Sequence, residues 1–275
     1  MRPRLLGPED APDVRRIVSA DPVRNIYVAA RVELGALDSH APGQLWGWPG
    51  GDVASLLYVG QNMVPVAVDA TAISAFAGFM GRRRTCTSIL GPAEQSLPLW
   101  GALSRRYGRS YSAVREIRPR QPMLALSTPP EWKADTRVRP ITMAEFNLYL
   151  DASVAMYAEE VGAEPGADLH ARFRSHYYRL VSSGRAFGIV EGGRVVFKAD
   201  VGTAVGPVAQ IQGVWMAPEY RGHGLSTAAM AAVVEYVLAE HRTACLYVNE
   251  FNAPALRCYE KLGFTRVGEL ATILY

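Results

Sequence analysis

The sequence predicts a mixed α/β fold (α+β mixed sheet) arranged as two domains. Three observations carry this. The chain has 275 residues, enough for two domains of about 130 residues each. Short strand-like runs alternate with helical runs throughout, which suits strand-and-helix layers and neither a helix bundle nor a β-sandwich. The same order of elements also occurs twice, on either side of a polar seam.

The first half opens with a strand-like Arg4-Leu5-Leu6. Gly7-Pro8-Glu9-Asp10 then starts a helix with acids in its first turn, where they suit the positive end of the dipole. Strands are expected near 45–48, 55–60, 63–68, 85–90 and 114–126. The seam is Ser127-Thr128-Pro129-Pro130-Glu131-Trp132-Lys133-Ala134-Asp135, polar and broken by a Pro-Pro step. After it the opening repeats. Val138 to Ile141 reads as a short strand, and Thr142 with Glu145 three residues later reads as a capping box. Strands are then expected near 186–191, 194–201, 208–216, 244–248 and 265–274. The boundary falls between domains 1–130 and 131–275.

Composition narrows the class. Hydrophobic residues make up 49% and charged residues 20%, so a packed core is expected. No apolar run reaches the roughly 20 residues of a membrane-spanning helix. The N-terminal run meets acids and prolines at once and has no signal-peptide apolar region, so a cytoplasmic location is expected. Cys86, Cys245 and Cys258 are too few and too scattered for a disulfide framework or a zinc site, so no metal is expected. Residues 1–130 hold 15 Arg against 10 acids, while residues 131–275 hold 14 Arg plus Lys against 16 acids. The run Arg82-Arg83-Arg84 is either a contact for an anionic partner or a solvated helix end, and nucleic acid is not the expected partner.

The chemistry-bearing segment lies in the second half. Gln210 to Met216 reads as a strand, and Pro218 ends it because proline has no N–H for a ladder. Arg221-Gly222-His223-Gly224-Leu225-Ser226 follows, then an alanine-rich helix from Thr227 to Glu240. A glycine turn at a helix N-terminus suits a diphosphate: first-turn amides lack partners, the dipole favours an anion, and glycine lets backbone come close. Arg221 can add a charged donor and Ser226 a hydroxyl. The same pattern also serves simply to turn a corner. It is no nucleotide P-loop, lacking Gly-Lys-Ser/Thr, and no dinucleotide fingerprint, lacking the third glycine.

A second arm follows. Leu246 to Asn249 reads as a strand. Asn252 caps a short helix with Pro254 in its first turn, Gly263 at its C-terminus and Phe264 packing back. Asn252 and Tyr259 lie seven residues apart, near one face of that helix. A polar cleft suits Tyr259, whose phenol needs a partner.

Pro-x-x-Arg-Gly-x-Gly-Leu-Ser before a helix, then Asn-x-x-Ala-x-x-x-Tyr-x-x-x-Gly-Phe, resembles the GNAT superfamily of N-acetyltransferases over roughly residues 137–275. The resemblance implies a mixed central sheet flanked by helices, with strands splayed at an acetyl-CoA site. It implies that Val214, Trp215 and Met216 pair with the pantetheine arm and polarise the thioester. It implies that Gly222, His223, Gly224, Leu225, Ser226 and Thr227 hold the pyrophosphate with Arg221, that Asn252 contacts the pantetheine, and that Tyr259 protonates the departing thiolate. His223 is a variable position of the family. Acetyl-CoA is then the co-substrate and a small-molecule or peptide amine the acceptor, with a homodimer allowed. Many relatives carry a carboxylate on a splayed strand to deprotonate the amine. Here those strands offer Gln210, Gln212, Tyr247 and Asn249, none a base at neutral pH. A protein that binds acetyl-CoA without turnover is the alternative reading.

On the acceptor side, Glu159 and Glu160 either meet a cationic amine or decorate a solvated helix. Lys198 and Asp200 share one face of a strand, and are either acceptor contacts or an exposed edge. Gln212 completes this set. The first half has no glycine loop, since Val66 to Thr71 runs straight into a helix. It therefore resembles a degenerate GNAT-like repeat, as in tandem GNAT proteins of the mycothiol-synthase type.

Overall fold

A computed structural model describes residues 2–162 and 165–275. The N-terminal half runs β1 (Arg4–Leu5), α1 (Ala11–Ser19), α2 (Ile26–Glu33), β2 (Gln44–Trp48), β3 (Ser55–Val59), β4 (Asn62–Val66), α3 (Ala70–Phe79), β5 (Ser88–Pro92), α4 (Ala93–Tyr107), α5 (Arg109–Ser112) and β6 (Glu116–Leu126). The C-terminal half runs β7 (Arg139–Pro140), α6 (Phe146–Val161), α7 (Ala167–Ser182), β8 (Ala186–Glu191), β9 (Arg194–Val205), β10 (Val208–Met216), α8 (Leu225–Glu240), β11 (Thr243–Tyr247), α9 (Ala253–Lys261) and β12 (Thr265–Leu274). Apart from the one-turn helix α5, the two halves repeat one order of strands and helices, as the sequence suggests.

The chain condenses into two compact units. One takes residues up to Leu124, with Tyr247–Asn252 and Arg266–Tyr275; the other takes Ala125–Leu246 and Ala253–Thr265. In the first unit the strand order is β1-β2-β3-β4-β5-β12-β6. Strand β4 runs parallel to β5, and the chain's last strand lies antiparallel on β5, from Leu270 opposite Pro92 to Leu274 opposite Ser88. Leu57, Met63, Phe76, Ile89, Leu99 and Ile273 fill its core. Arg82 and Arg83 are exposed beyond the end of α3, while the Arg84 guanidinium donates to the Ser110 carbonyl and lies 3.8 Å from the centre of the Tyr275 ring. The run thus lies past the helix end, and its third arginine is structural.

In the second unit the order is β11-β10-β9-β8-β7. The β8, β9 and β10 ladders are antiparallel, and β10 runs parallel to β11. That last ladder spans Val208–Gln210 against Thr243–Cys245 and ends there, which opens the strands toward the C-terminal end of β10. Helix α8 buries Ala229 to Val234 and Val237, as an almost wholly apolar helix must. Burial pushes the Cys86 and Cys245 thiols up to about 11 and about 12, so both behave as small core residues. No helix among the described residues is long and apolar enough to cross a membrane, and none of their His, Cys, Asp and Glu side chains cluster as a metal site.

The expected capping box is present. Glu145 accepts from the Thr142 amide at 3.0 Å and hydroxyl at 2.8 Å, and from both terminal nitrogens of Arg139 at 2.9 and 2.6 Å. Arg139, with Thr142, holds the Glu145 carboxyl down at about 2, against an ordinary value of 4.5. A depressed carboxylate stabilises the fold above its unfolded pKa, and that contribution fades as pH falls toward the folded value. Glu145→Ala should therefore lower unfolding free energy by about 1 kcal/mol at pH 7. Urea unfolding at pH 7 and pH 3 checks this: the gap between wild type and variant narrows at the lower pH, and a gap of constant size would contradict the assignment.

Candidate active site

The site begins with an irregularity in β10. Gln212 pairs with Asp200 and Trp215 with Lys198, so Gly213 and Val214 together face Ala199 alone on β9. This is a β-bulge, which re-aims the backbone of one strand. Gly213 adopts φ +57, a region that favours glycine. A Cβ there would also lie 2.4 Å from Asp200 Oδ2 and 2.9 Å from Lys198 Nζ. A larger residue would force the buried Lys198–Asp200 pair to shift.

Lys198 and Asp200 lie beneath the bulge and are 0% and 1% exposed at their side chains, which overturns the exposed-edge reading. The reason is topological. Strand β9 is interior to its sheet, and α6 and α7 pack against it. Lys198 Nζ donates to Asp200 Oδ2 at 3.1 Å and to the Gly213 carbonyl at 3.0 Å. It also stands 5.0 and 4.9 Å from the ring centres of Tyr149 and Tyr177. The Tyr149 hydroxyl donates to Asp200 Oδ1 in a short bond and reaches the Ala199 carbonyl at 3.1 Å. Burial pushes the Lys198 ammonium below its ordinary pKa, opposed by Asp200, and pushes both tyrosines up. Nearby His176 is held below its ordinary value mainly by burial. Sequence reasoning missed these three aromatic neighbours, and nothing in their local spacing marks them.

After β10, the turn Pro218–Tyr220 leads into the glycine loop. Gly222 and Gly224 have φ of +82 and +75, and open space surrounds the position of a Cβ at either. Gly224 is the N-cap of α8 and supplies no capping side chain. Among the described residues, no backbone carbonyl accepts from the N–H of Gly222, His223, Gly224, Leu225 or Ser226, whereas Thr227 N–H donates to the Gly224 carbonyl at 3.2 Å. Thr227 is also buried, with its hydroxyl on the Cys258 thiol. The loop and first turn of the helix therefore leave five amides without a backbone acceptor, at three exposed and two half-buried residues, and Thr227 belongs to the packing behind them.

Arg221 takes a different direction from the one the motif suggests. Its Nε donates to the Met216 carbonyl at 2.8 Å and its Nη2 to Glu159 Oε2 at 2.7 Å. The other oxygen of Glu159 accepts from the Trp215 indole at 3.1 Å. Glu159 thus ties the end of α6 to both β10 and the loop, while Glu160 is exposed. The Gln212 side chain, half-buried, lies over Gly202, whose missing side chain makes the room.

Asn252 directly precedes α9, and its N–H donates to the Asn249 carbonyl at 2.9 Å. Gly263 closes the helix with φ +88, and Phe264 packs edge-on against Tyr259, 5.8 Å between ring centres. Tyr259 is buried, where a polar cleft was expected, and that burial pushes its phenol up and keeps the proton on it.

The first unit offers a contrast. Its α3 occupies the same place in the element order as α8, but its N-cap is Asp69, whose carboxylate accepts from the Ala72 amide at 2.7 Å. A negative charge already sits where a diphosphate would go.

Residues 143–264 match the Acetyltransferase (GNAT) family, and residues 43–149 match a domain of unknown function (DUF4081). A mycothiol acetyltransferase from Thermobispora bispora is 27% identical over 244 residues, which cover 80% of this chain and 83% of that protein. A mycothiol acetyltransferase from Pseudarthrobacter chlorophenolicus is 31% identical over 178 residues, 60% of this chain and 53% of that protein. A solved tandem GNAT protein from the clavulanic acid biosynthesis pathway shares the fold, with TM-score 0.57 and 18% identity over 98% of this chain and 97% of its own. The family match lies in the C-terminal part, and the likeness over the whole chain is one of fold. The chain therefore carries a GNAT-family acetyltransferase domain in residues 143–264 and shares its fold with a tandem GNAT protein.

Proposed function

We propose that the protein transfers an acetyl group from acetyl-CoA to a primary amine of a small molecule or peptide by direct attack. The open N-terminus of α8 carries this reading, because its first-turn amides and glycine loop fit a diphosphate and the matching helix of the other unit does not. The amides of Gly222 to Ser226 hold the diphosphate. The strand backbone from Val214 to Met216 aligns the pantetheine arm and offers N–H groups to the acyl oxygen as charge builds on it, and Asn252 steadies the arm. Acetyl-CoA supplies the activated acyl group. We assign donor binding and chemistry to residues 131–275 and leave residues 1–130 a packing or acceptor-shaping role.

Tyr259 is the proton donor for the departing thiolate. Its raised pKa keeps a proton in place at neutral pH. Tyr259→Phe should lower kcat by a factor on the order of 100 while acetyl-CoA binding stays within a few-fold. Steady-state kinetics beside calorimetric titration measures both. Unchanged kcat removes Tyr259 from this role, and tight binding without turnover in wild type across an amine panel replaces the enzyme with a sensor. The names of the two relatives put the des-acetyl precursor of mycothiol at the head of that panel.

Glu159 and Glu160 are the acceptor contacts on α6. Lys198 and Asp200 have no surface with which to touch an acceptor. With no carboxylate on β10 or β11, the amine arrives already neutral. The rate at low acceptor concentration should then rise with pH along the acceptor's own ionisation. Its midpoint should lie near 8 for an α-amino acceptor and near 10 for an alkyl amine, the approximate intrinsic values of those groups. A midpoint that stays put when the acceptor changes would reveal an enzymic base instead.

The glycine loop makes its own prediction. Gly224→Ala meets no steric barrier, so its effect is backbone strain at φ +75, about 1 kcal/mol. Acetyl-CoA binding should weaken several-fold with little change in kcat. A variant that binds as wild type would show that the left-handed turn does not shape the donor site.

A further inference from the structure

The buried charges beneath the bulge have no part in the chemistry above, yet they touch its backbone. Lys198 Nζ donates to the carbonyl of Gly213 at 3.0 Å. In a trans peptide the C=O and the N–H of the next residue point in opposite directions. A Gly213 carbonyl drawn down to Lys198 therefore turns the Val214 N–H away from the buried cluster, toward the open side of the bulge. Val214 lies on the strand segment assigned above to the acyl group.

We propose that Lys198 is a positioning residue for acetyl transfer: held by Asp200 and Tyr149, it fixes the Gly213–Val214 peptide so that its N–H faces the acyl oxygen of the donor. This rests on the donor site described above and adds what orients it. A bulge interrupts the ladder, so that peptide lacks the regular pairing that fixes its neighbours. Rotated the other way, it would present a carbonyl oxygen to the acyl oxygen, lone pair against lone pair. The ammonium sets the sign of that dipole. It also polarises the amide, and a hydrogen bond to a charged group is the stronger kind.

The surroundings serve this one arrangement. Two of the three ammonium protons go to Asp200 and Gly213, and the rings of Tyr149 and Tyr177 flank the same group. The Tyr149 hydroxyl keeps Asp200 in place. Gly213 is required because a Cβ would strike both charged groups. For stability alone, such a pair is replaceable, since apolar residues of similar volume are often as good or better. Its contact with the bulge carbonyl is what apolar residues would not reproduce.

That contrast supplies the test. The double variant Lys198→Met with Asp200→Leu removes both charges and leaves none unpaired. Thermal unfolding, calorimetric titration with acetyl-CoA, steady-state kinetics and the infrared carbonyl frequency of bound [1-13C]acetyl-CoA are measured on it and on wild type. The expected result is a melting temperature equal to or above wild type, acetyl-CoA affinity within a few-fold, and kcat lower by on the order of 100-fold, as for loss of one oxyanion donor. The bound carbonyl band should move back toward its position in free acetyl-CoA. Wild-type kcat or an unmoved band would overturn the proposal. Failure of wild type to bind acetyl-CoA would instead overturn the donor site itself, and the titration separates the two. If the double variant does not fold, Tyr149→Phe takes its place: a several-fold lower kcat at unchanged acetyl-CoA affinity is expected, and an unchanged kcat overturns the proposal.

Discussion

An ammonium group with no exposure to water has to be satisfied by protein, and Lys198 is such a group. Its contacts fix an unusual amount of the second unit at once. Asp200 lies on the same strand, Gly213 on the next, Tyr149 on α6 and Tyr177 on α7. Removing one partner would leave a buried charge uncompensated, which typically costs several kcal/mol. Sheet and helices are therefore held in register by a polar contact inside an otherwise apolar core of Phe146, Leu150, Leu180 and Val195. The bulge at Gly213 is the point where that contact reaches the surface of the strand.

Much of this architecture was legible in the sequence because local rules govern it. Alternation and punctuation placed nearly every strand within a few residues. The capping box at Thr142 and Glu145 and the glycine stop at Gly263 were read from side-chain chemistry alone. What was not legible depends on distant chain. Nothing local says that β12 pairs with β5, since any strand of suitable alternation could fill that position. Period-two spacing put Lys198 and Asp200 on one face, but it carries no information on whether helices cover that face. Tyr259 was likewise read for its phenol, and its burial depends on packing that its own helix does not encode. The direction of Arg221 was missed for a related reason: its partner Glu159 is 62 residues away in sequence.

The duplicated order of elements makes the two helix N-termini a natural experiment. Both α3 and α8 follow the last strand of a four-stranded antiparallel run and precede a parallel strand. What differs is the cap. Asp69 satisfies an orphan amide with its own carboxylate, which stabilises a helix and repels an anion. Gly224 gives up that stabilisation and leaves the amides for something else. The same backbone thus carries a side-chain-capped helix in one unit and an uncapped one in the other, the end proposed above to hold the diphosphate.

The donor side of the second unit combines a rigid floor with an adjustable rim. The Lys198–Asp200 pair is inaccessible and bonded to Gly213 and Tyr149, so the backbone it holds cannot drift without a large penalty. The Arg221–Glu159 pair is the opposite case, with side chains 45% and 40% exposed. An ion pair in that setting is worth only about 0–1 kcal/mol. In the donor site proposed above, a diphosphate at the loop would therefore draw Arg221 away at little expense, and the same step would release Glu159 beside Trp215 for a cationic group. A buried pair suits a part that must keep its geometry through every turnover. An exposed pair suits a part that must exchange partners as ligands come and go, and the proposed donor site calls on each pair for the matching task.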